Sequence, residues 1–229
     1  MITLRKSNER GEVKMDWLHA FHSFSFASYF DPRWMGFSKL RVINEDFIDG
    51  GQGFGTHPHR DMEIMTFIID GALEHRDTMG NHAVIKPGDI QIMSAGTGIM
   101  HSEYNPDPQK QTHSIQIWIE PEQLGIKPRY EHYKFNQKHN DLTLIASATG
   151  GENIAKINQD AQIFHGDFDQ VKKEIELSPD RQYWLQVFNG GGTINDLILE
   201  HGDALAIQEE SQLNINESHN LKFLLFDLP

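Results

Sequence analysis

The sequence predicts an all-β protein, and three observations predict it. Short apolar runs recur between glycine, proline and Asn/Asp turns, which is how strands and their connections read in a sequence. Ile115, Ile117 and Ile119 alternate with Gln116 and Trp118, the period of two that separates the faces of a sheet. Helical periodicity is weak throughout, and only 169–176 reads as a short helix. A sandwich or barrel follows from many short strands with dense turn signals.

Taken in order, strands are expected at 64–69, 90–93, 114–120, 142–146, 184–188 and 221–226. The punctuation between them is Asp70-Gly71, Met79-Gly80-Asn81, Pro87-Gly88-Asp89 and Gly190-Gly191-Gly192, all turn formers. The second half echoes the first. Phe67-Ile68-Ile69-Asp70-Gly71 followed by Pro87-Gly88-Asp89 has a shorter counterpart in Val187-Phe188-Asn189-Gly190 followed by His201-Gly202-Asp203. Both halves read as strand, turn, strand, Gly-Asp turn, strand, and the polar stretch 136–141 is the natural boundary. Two related barrels are therefore expected, over residues 1–136 and 137–229.

Composition narrows the function classes. The chain has 229 residues, 38% hydrophobic and 23% charged, enough for packed cores and for one large or two small domains. Acidic residues outnumber basic ones 33 to 20, a net charge of −13 without any Lys/Arg run, which argues against a phosphate-backbone partner. There is no cysteine, so disulfides, thiolate metal sites and cysteine nucleophiles are excluded together. The first residues lack the apolar core of a signal peptide, and no apolar stretch is long enough to span a bilayer. A cytoplasmic, membrane-free protein is expected. Its 13 histidines stand out.

Two segments concentrate the chemistry. In Gly51-Gln52-Gly53-Phe54-Gly55-Thr56-His57-Pro58-His59-Arg60-Asp61-Met62-Glu63, His57 and His59 leave the same face of an extended strand. Their Cα atoms would lie about 7 Å apart, so two imidazoles can converge on one ion. Pro58 cannot donate to a ladder, which places this strand at an edge, a start or a bulge. In Gly96-Thr97-Gly98-Ile99-Met100-His101-Ser102-Glu103-Tyr104-Asn105, His101 and Glu103 repeat the spacing. A bare His-x-His is more often two exposed polar residues than a ligand pair. The glycine-rich approach and the distant His-x-Glu turn that balance toward metal binding. Three imidazoles and a carboxylate suit Fe, Ni, Cu, Mn or Zn and leave coordination positions open, as a catalytic centre needs.

Residues 51–63 resemble the first cupin motif, and Gly98-x-x-His101-x-x-x-Asn105 resembles the second. More narrowly, Phe24-Ser25-Phe26, Met35-Gly36-Phe37, Arg41-Val42-Ile43-Asn44, Gly55-Thr56-His57-Pro58-His59 and Ala95-Gly96-Thr97-Gly98-Ile99 resemble the pirin family. The likeness is dense from about residue 17 to 130 and thin beyond. It implies a bicupin, two consecutive jelly-roll barrels, of which only the N-terminal one holds a metal, at His57, His59, His101 and Glu103. Glu63 occupies the usual cupin ligand position, but the resemblance places the acidic ligand two residues after the third histidine. The C-terminal half lacks any His-x-His, so its barrel is expected to be metal-free. The resemblance further implies a quercetin 2,3-dioxygenase using one divalent transition metal, with Fe(II) expected and Ni, Cu, Mn, Co or Zn as alternatives. Its substrates would be a flavonol and O2, with Glu103 the nearest proton acceptor. The rival reading is a metal-dependent regulatory protein that binds a protein partner.

Other features read as structural. Residues 51–56 lack the Gly at the last position of a dinucleotide fingerprint, and no Lys-Ser/Thr follows to make a phosphate loop. His19 and His22 could share a second metal, but Trp17, Phe21, Phe24 and Phe26 around them favour packing. His75, His82, His113, His132, His139, His165, His201 and His219 show no ligand-like neighbour, with His113 the one placed to approach a pocket. Phe54 and Trp118 read as core or pocket wall.

Overall fold

The computed structural model describes residues 1–229. Its strands are β1 (Ile2–Arg5), β2 (Gly11–Lys14), β3 (Leu18–His22), β4 (Leu40–Ile48), β5 (Gly53–His59), β6 (Glu63–Asp70), β7 (Leu73–Asp77), β8 (His82–Ile85), β9 (Asp89–Ser94) and β10 (Ile99–Tyr104). There follow β11 (Thr112–Ile119), β12 (Arg129–Lys134), β13 (Asp141–Ser147), β14 (Ala155–Lys156), β15 (Gln162–Phe168), β16 (Lys173–Glu176), β17 (Gln182–Ile194), β18 (Leu197–Leu199), β19 (Ala204–Gln208) and β20 (Gln212–Leu228). The one helical element is a 3-10 turn at Ser7–Glu9, and no helix is long and apolar enough to cross a membrane.

The six expected strand segments all fall on strands, except that β11 ends at Ile119, one residue before the expected bound. The expected helix at 169–176 does not form; its second half is β16, paired antiparallel with β20. Val171 and Ile175, four apart, imitate a helical stripe. The alternation Glu174, Ile175, Glu176, Leu177 decides the outcome, because it places Ile175 and Leu177 in an apolar core while the glutamates stay exposed.

The chain divides into two compact units, one formed by Arg10–Phe135 and Ala148–Gln159, the other by Met1–Glu9, Asn136–Ser147 and Asp160–Pro229. The division is interleaved, where the sequence predicts a single cut after residue 136. In the first unit, strands β12-β9-β6-β11-β4-β3-β2 form one sheet and β5-β10-β7-β8 another. Leu18, Ala20, Ile48, Ile68, Leu73 and Ile85 make one apolar cluster from both sheets. In the second unit the order is β1-β19-β17-β20-β15-β13, with β16 on β20 and β18 on β17. Its core holds Phe168, Leu185, Leu205, Phe223 and Leu225, all at most 1% exposed. Strand β17 shifts register against β20 at Val187/Asn189, Asn189/Gly191 and Thr193/Ile194, which bends both long strands.

Candidate metal centre

The centre is built where β5 lies antiparallel to β10. His57 stands opposite His101 and Pro58 opposite Met100. Strand β5 is an edge strand of its sheet, where the missing N–H of Pro58 costs no ladder bond. Between His57 and Phe54, β5 carries one residue more than the facing stretch of β10, a bulge that turns His57 inward beside His101. Gly53 makes the approach possible: a Cβ there would stand 2.2 Å from the Glu103 carbonyl oxygen and 2.5 Å from Tyr104 Cα.

Three imidazoles converge. Ring centroids are 4.7 Å apart for His57–His59, 4.5 Å for His57–His101 and 4.7 Å for His59–His101. His57 Nδ1 lies 2.8 Å from the Gly55 carbonyl, to which only an N–H can donate, so its Nε2 carries the lone pair. His101 Nδ1 lies 3.4 Å from His75 Nδ1, and His75 Nε2 lies 3.1 Å from Asp77 Oδ2. Although burial works the other way, hydrogen bonds from Asn81 and His75 hold the Asp77 carboxyl below its usual range. An ionised Asp77 accepts from His75 Nε2–H; His75 Nδ1 then accepts from His101 Nδ1–H, which frees His101 Nε2.

That leaves the Nε2 atoms of His57 and His101 only 3.1 Å apart, both as acceptors. His59 Nε2 is buried with no hydrogen-bond partner. Two nitrogens at right angles on one ion, each at about 2.1 Å, stand about 3 Å apart, so the spacing fits a shared cation. Burial, reinforced by the neighbouring imidazoles, pushes His59 and His101 down to about 3, which keeps both neutral.

Glu103 lies beside this triad but is not drawn into it as tightly. Its carboxylate groups within 4.8 Å with His75 and His101, whereas the compact group on the other side is His57, His59 and His101. Both its oxygens are engaged: Oε1 accepts from Thr66 Oγ1 at 3.0 Å and from Gln91 Nε2 at 3.5 Å, and Oε2 accepts from Gln116 Nε2 at 2.8 Å.

A cavity of about 270 Å³, largely apolar, opens onto the centre. Phe54, Trp118, Leu18 and Phe26 wall it, and His57, His59 and Glu103 stand at one end. His22, Ser28, Asn44, Asp46 and Gln116 are its other polar residues. Trp118 meets His59 edge to face at 4.9 Å.

The remaining candidates fall elsewhere. Glu63 accepts from Ser94 Oγ at 2.8 Å and from the Asn158 N–H at 3.2 Å, and takes no part in the triad. His19 bonds Glu12 at 2.8 Å whereas His22 pairs with Asn44 at 2.7 Å, so the two share no ion. His113 reaches Glu45 at 2.7 Å and stacks on Phe47, on the strand face away from the cavity. Two residues escaped the sequence reading. His75 does have a partner near the centre, and its signal was the i, i+2 pairing with Asp77. Asp46 lines the cavity, and its signal was a carboxylate between apolar residues of β4. Burial, with Glu103 and Glu45 nearby, pushes its carboxyl up to about 7.

The sequence model of the pirin family matches residues 3–119, and that of the quercetinase C-terminal cupin domain matches residues 144–228. A protein of Escherichia coli named quercetin 2,3-dioxygenase is 46% identical over 230 residues, covering 100% of this chain and 99% of that one. A pirin-like protein of Caulobacter vibrioides is 36% identical over 231 residues, covering 99% of both. The crystal structure of the Escherichia coli bacterial pirin YhhW in complex with nickel(II) superimposes with a TM-score of 0.95 at 46% identity, covering 100% and 99% of the two chains. The quercetin 2,3-dioxygenase of Acinetobacter baumannii, at 21% identity and TM-score 0.77 over 95% of this chain and 83% of that one, shares the fold. The architecture is therefore a bicupin, and the chain belongs to the pirin family.

Proposed function

We propose that the chain is a metal-dependent dioxygenase of the quercetin 2,3-dioxygenase type, acting on a flavonol and O2. The observation that carries this reading is the triad of converging imidazoles, two of which, His57 and His59, line a largely apolar cavity. His57, His59 and His101 would hold the metal, with Glu103 as the fourth ligand, in the N-terminal barrel; the C-terminal barrel would hold none. A transition metal bound there supplies Lewis acidity toward a substrate oxygen and redox access to O2. Fe(II) is the proposed ion, with Ni, Cu, Mn, Co or Zn accommodated by the same donors, and the nickel complex of the Escherichia coli pirin supports a first-row metal.

The chain's own residues supply the rest. Phe54, Trp118, Leu18 and Phe26 exclude water, and the three aromatic rings among them present flat surfaces to an aromatic ring system. Gln116 ties Glu103 in place, and its Oε1 accepts from Trp118 Nε1 at 3.2 Å, so one amide sets both a ligand and a wall. Holding the flavonol over the triad replaces an encounter in solution by a fixed approach.

Metal analysis of the purified protein beside its His57→Ala, His101→Ala double variant tests the site: near-stoichiometric metal in the first and loss of most of it in the folded second is expected. Oxygen consumption on adding quercetin to the metal-loaded protein tests the reaction. Stoichiometric O2 loss supports the enzyme; a metal-loaded protein that consumes none would instead be a metal-dependent binding protein.

A further inference from the structure

Asp46 is 5% exposed and lines the cavity, yet no protein hydrogen bond reaches its carboxyl. Every other buried carboxylate of this unit near the cavity is satisfied. Glu103 has Thr66, Gln91 and Gln116; Glu45 has Arg10 at 2.7 Å and His113 at 2.7 Å. A buried carboxyl without donors is costly, and such groups persist where a ligand completes them. Strand β4 presents Asn44, Asp46 and Ile48 to one face, which sets Asp46 between the His22–Asn44 pair and the apolar cluster at Ile48. No Lys or Arg lines the cavity.

Resting on the flavonol reading above, we propose that Asp46, rather than Glu103, accepts the hydroxyl proton of the flavonol as it seats in the cavity. The substrate O–H bond breaks as an O–H bond forms on the Asp46 carboxylate. The flavonol remains as its anion, no electrons change hands, and the proton returns to the ring-opened product. Glu103 is poorly placed for this step, since both its oxygens already accept hydrogen bonds and its charge is committed beside His101. The titratable groups that share the cavity with Asp46 are His22 from β3, His57 and His59 from β5 and Glu103 from β10, with Glu45 behind it on β4. Burial and the two glutamates push its carboxyl up to about 7, close to neutral pH, where a general base is most effective.

The test uses the metal-loaded protein and its Asp46→Asn and Asp46→Ser variants, with metal content and thermal midpoint as controls for folding. Quercetin is first added without O2, and the absorption of the bound flavonol shows whether it is held as the red-shifted anion. The wild type is expected to bind the anion and both variants the neutral flavonol. With O2 admitted, kcat/KM of the variants is expected to fall about 100-fold or more, the range for loss of a general base. The proposal is overturned if a folded, metal-loaded variant keeps the anion band and the wild-type rate. It is equally overturned if Glu103→Gln, with metal retained, abolishes the band while Asp46→Asn preserves it. A wild type that neither binds nor oxidises quercetin brings down the dioxygenase reading itself, and this proposal with it, a result distinct from either variant outcome.

Discussion

His101 shows how a single side chain is set by atoms that never touch a ligand. Its Nε2 is free only because Nδ1–H has an acceptor in His75, and His75 is an acceptor there only because Asp77 takes its other proton. His75 and Asp77 are both fully buried side chains, and Tyr130 stacks on His75 at a centroid distance of 4.5 Å. Converting Asp77→Asn leaves the shape but offers His75 a mixed donor and acceptor. Metal affinity, measured by competition with a chelator, is expected to drop about 10- to 100-fold, as for other outer partners of a ligating histidine. The pairs His57/His59 and His101/Glu103 were legible in the sequence because a period of two involves near neighbours alone. The His75–His101 contact was not, since 26 residues of chain separate its members and only the β10–β7 ladder brings them together. Asp46 was hidden for the same reason: its strand is readable, but which face looks into the cavity depends on pairing with β3 and β11.

At the scale of the strand, the centre depends on how closely β5 approaches β10. Gly53→Ala would place a methyl group 2.2 Å from the Glu103 carbonyl oxygen, and backbone on both sides cannot yield cheaply. The variant is expected to lose about 1–3 kcal/mol of stability, typical of overpacking. It should also lose metal affinity, because moving β5 carries His57 and His59 away from His101. Gly55→Ala, in the same strand, meets only the Tyr104 hydroxyl at 3.6 Å and is expected to behave as wild type in both the thermal scan and the chelator competition. Equal losses in the two variants would refute the close-approach argument. The glycine-rich run is readable as a motif, but which glycine is indispensable follows from the neighbour it faces. The same limit explains β16: local spacing between Val171 and Ile175 looked helical, and pairing with β20 overrode it.

The whole molecule joins two all-β units, and each has its own vulnerable buried group. In the C-terminal unit His165 is 2% exposed, and burial, with Lys222 adding to it and Asp167 opposing it, pushes its pKa down to about 4. An unfolded histidine titrates near about 6.5, so the unfolded chain binds the proton first as the pH drops. The contribution is complete above about 6.5, declines as the pH falls from there toward 4, and amounts to about 3 kcal/mol. Thermal midpoints at pH 7.5 and 5 should fall further for the wild type than for His165→Gln; equal falls would show that His165 does not set the acid sensitivity. The tandem-barrel plan was visible in the Gly-Asp echo, whereas the interleaving was not, because β1 has no sequence signal that says which half it joins.

Strand β1 pairs Ile2 with Ile207 and Arg5 with Ala204, so the first residues of the chain complete the sheet of the last hundred. During synthesis β1 must wait, unpaired, until β19 has left the ribosome. A fragment severed after residue 136 would strand it without its mate and leave the β19 edge bare, inviting self-association. Split-protein reassembly and amino-terminal tagging should both be sensitive to that first handful of residues.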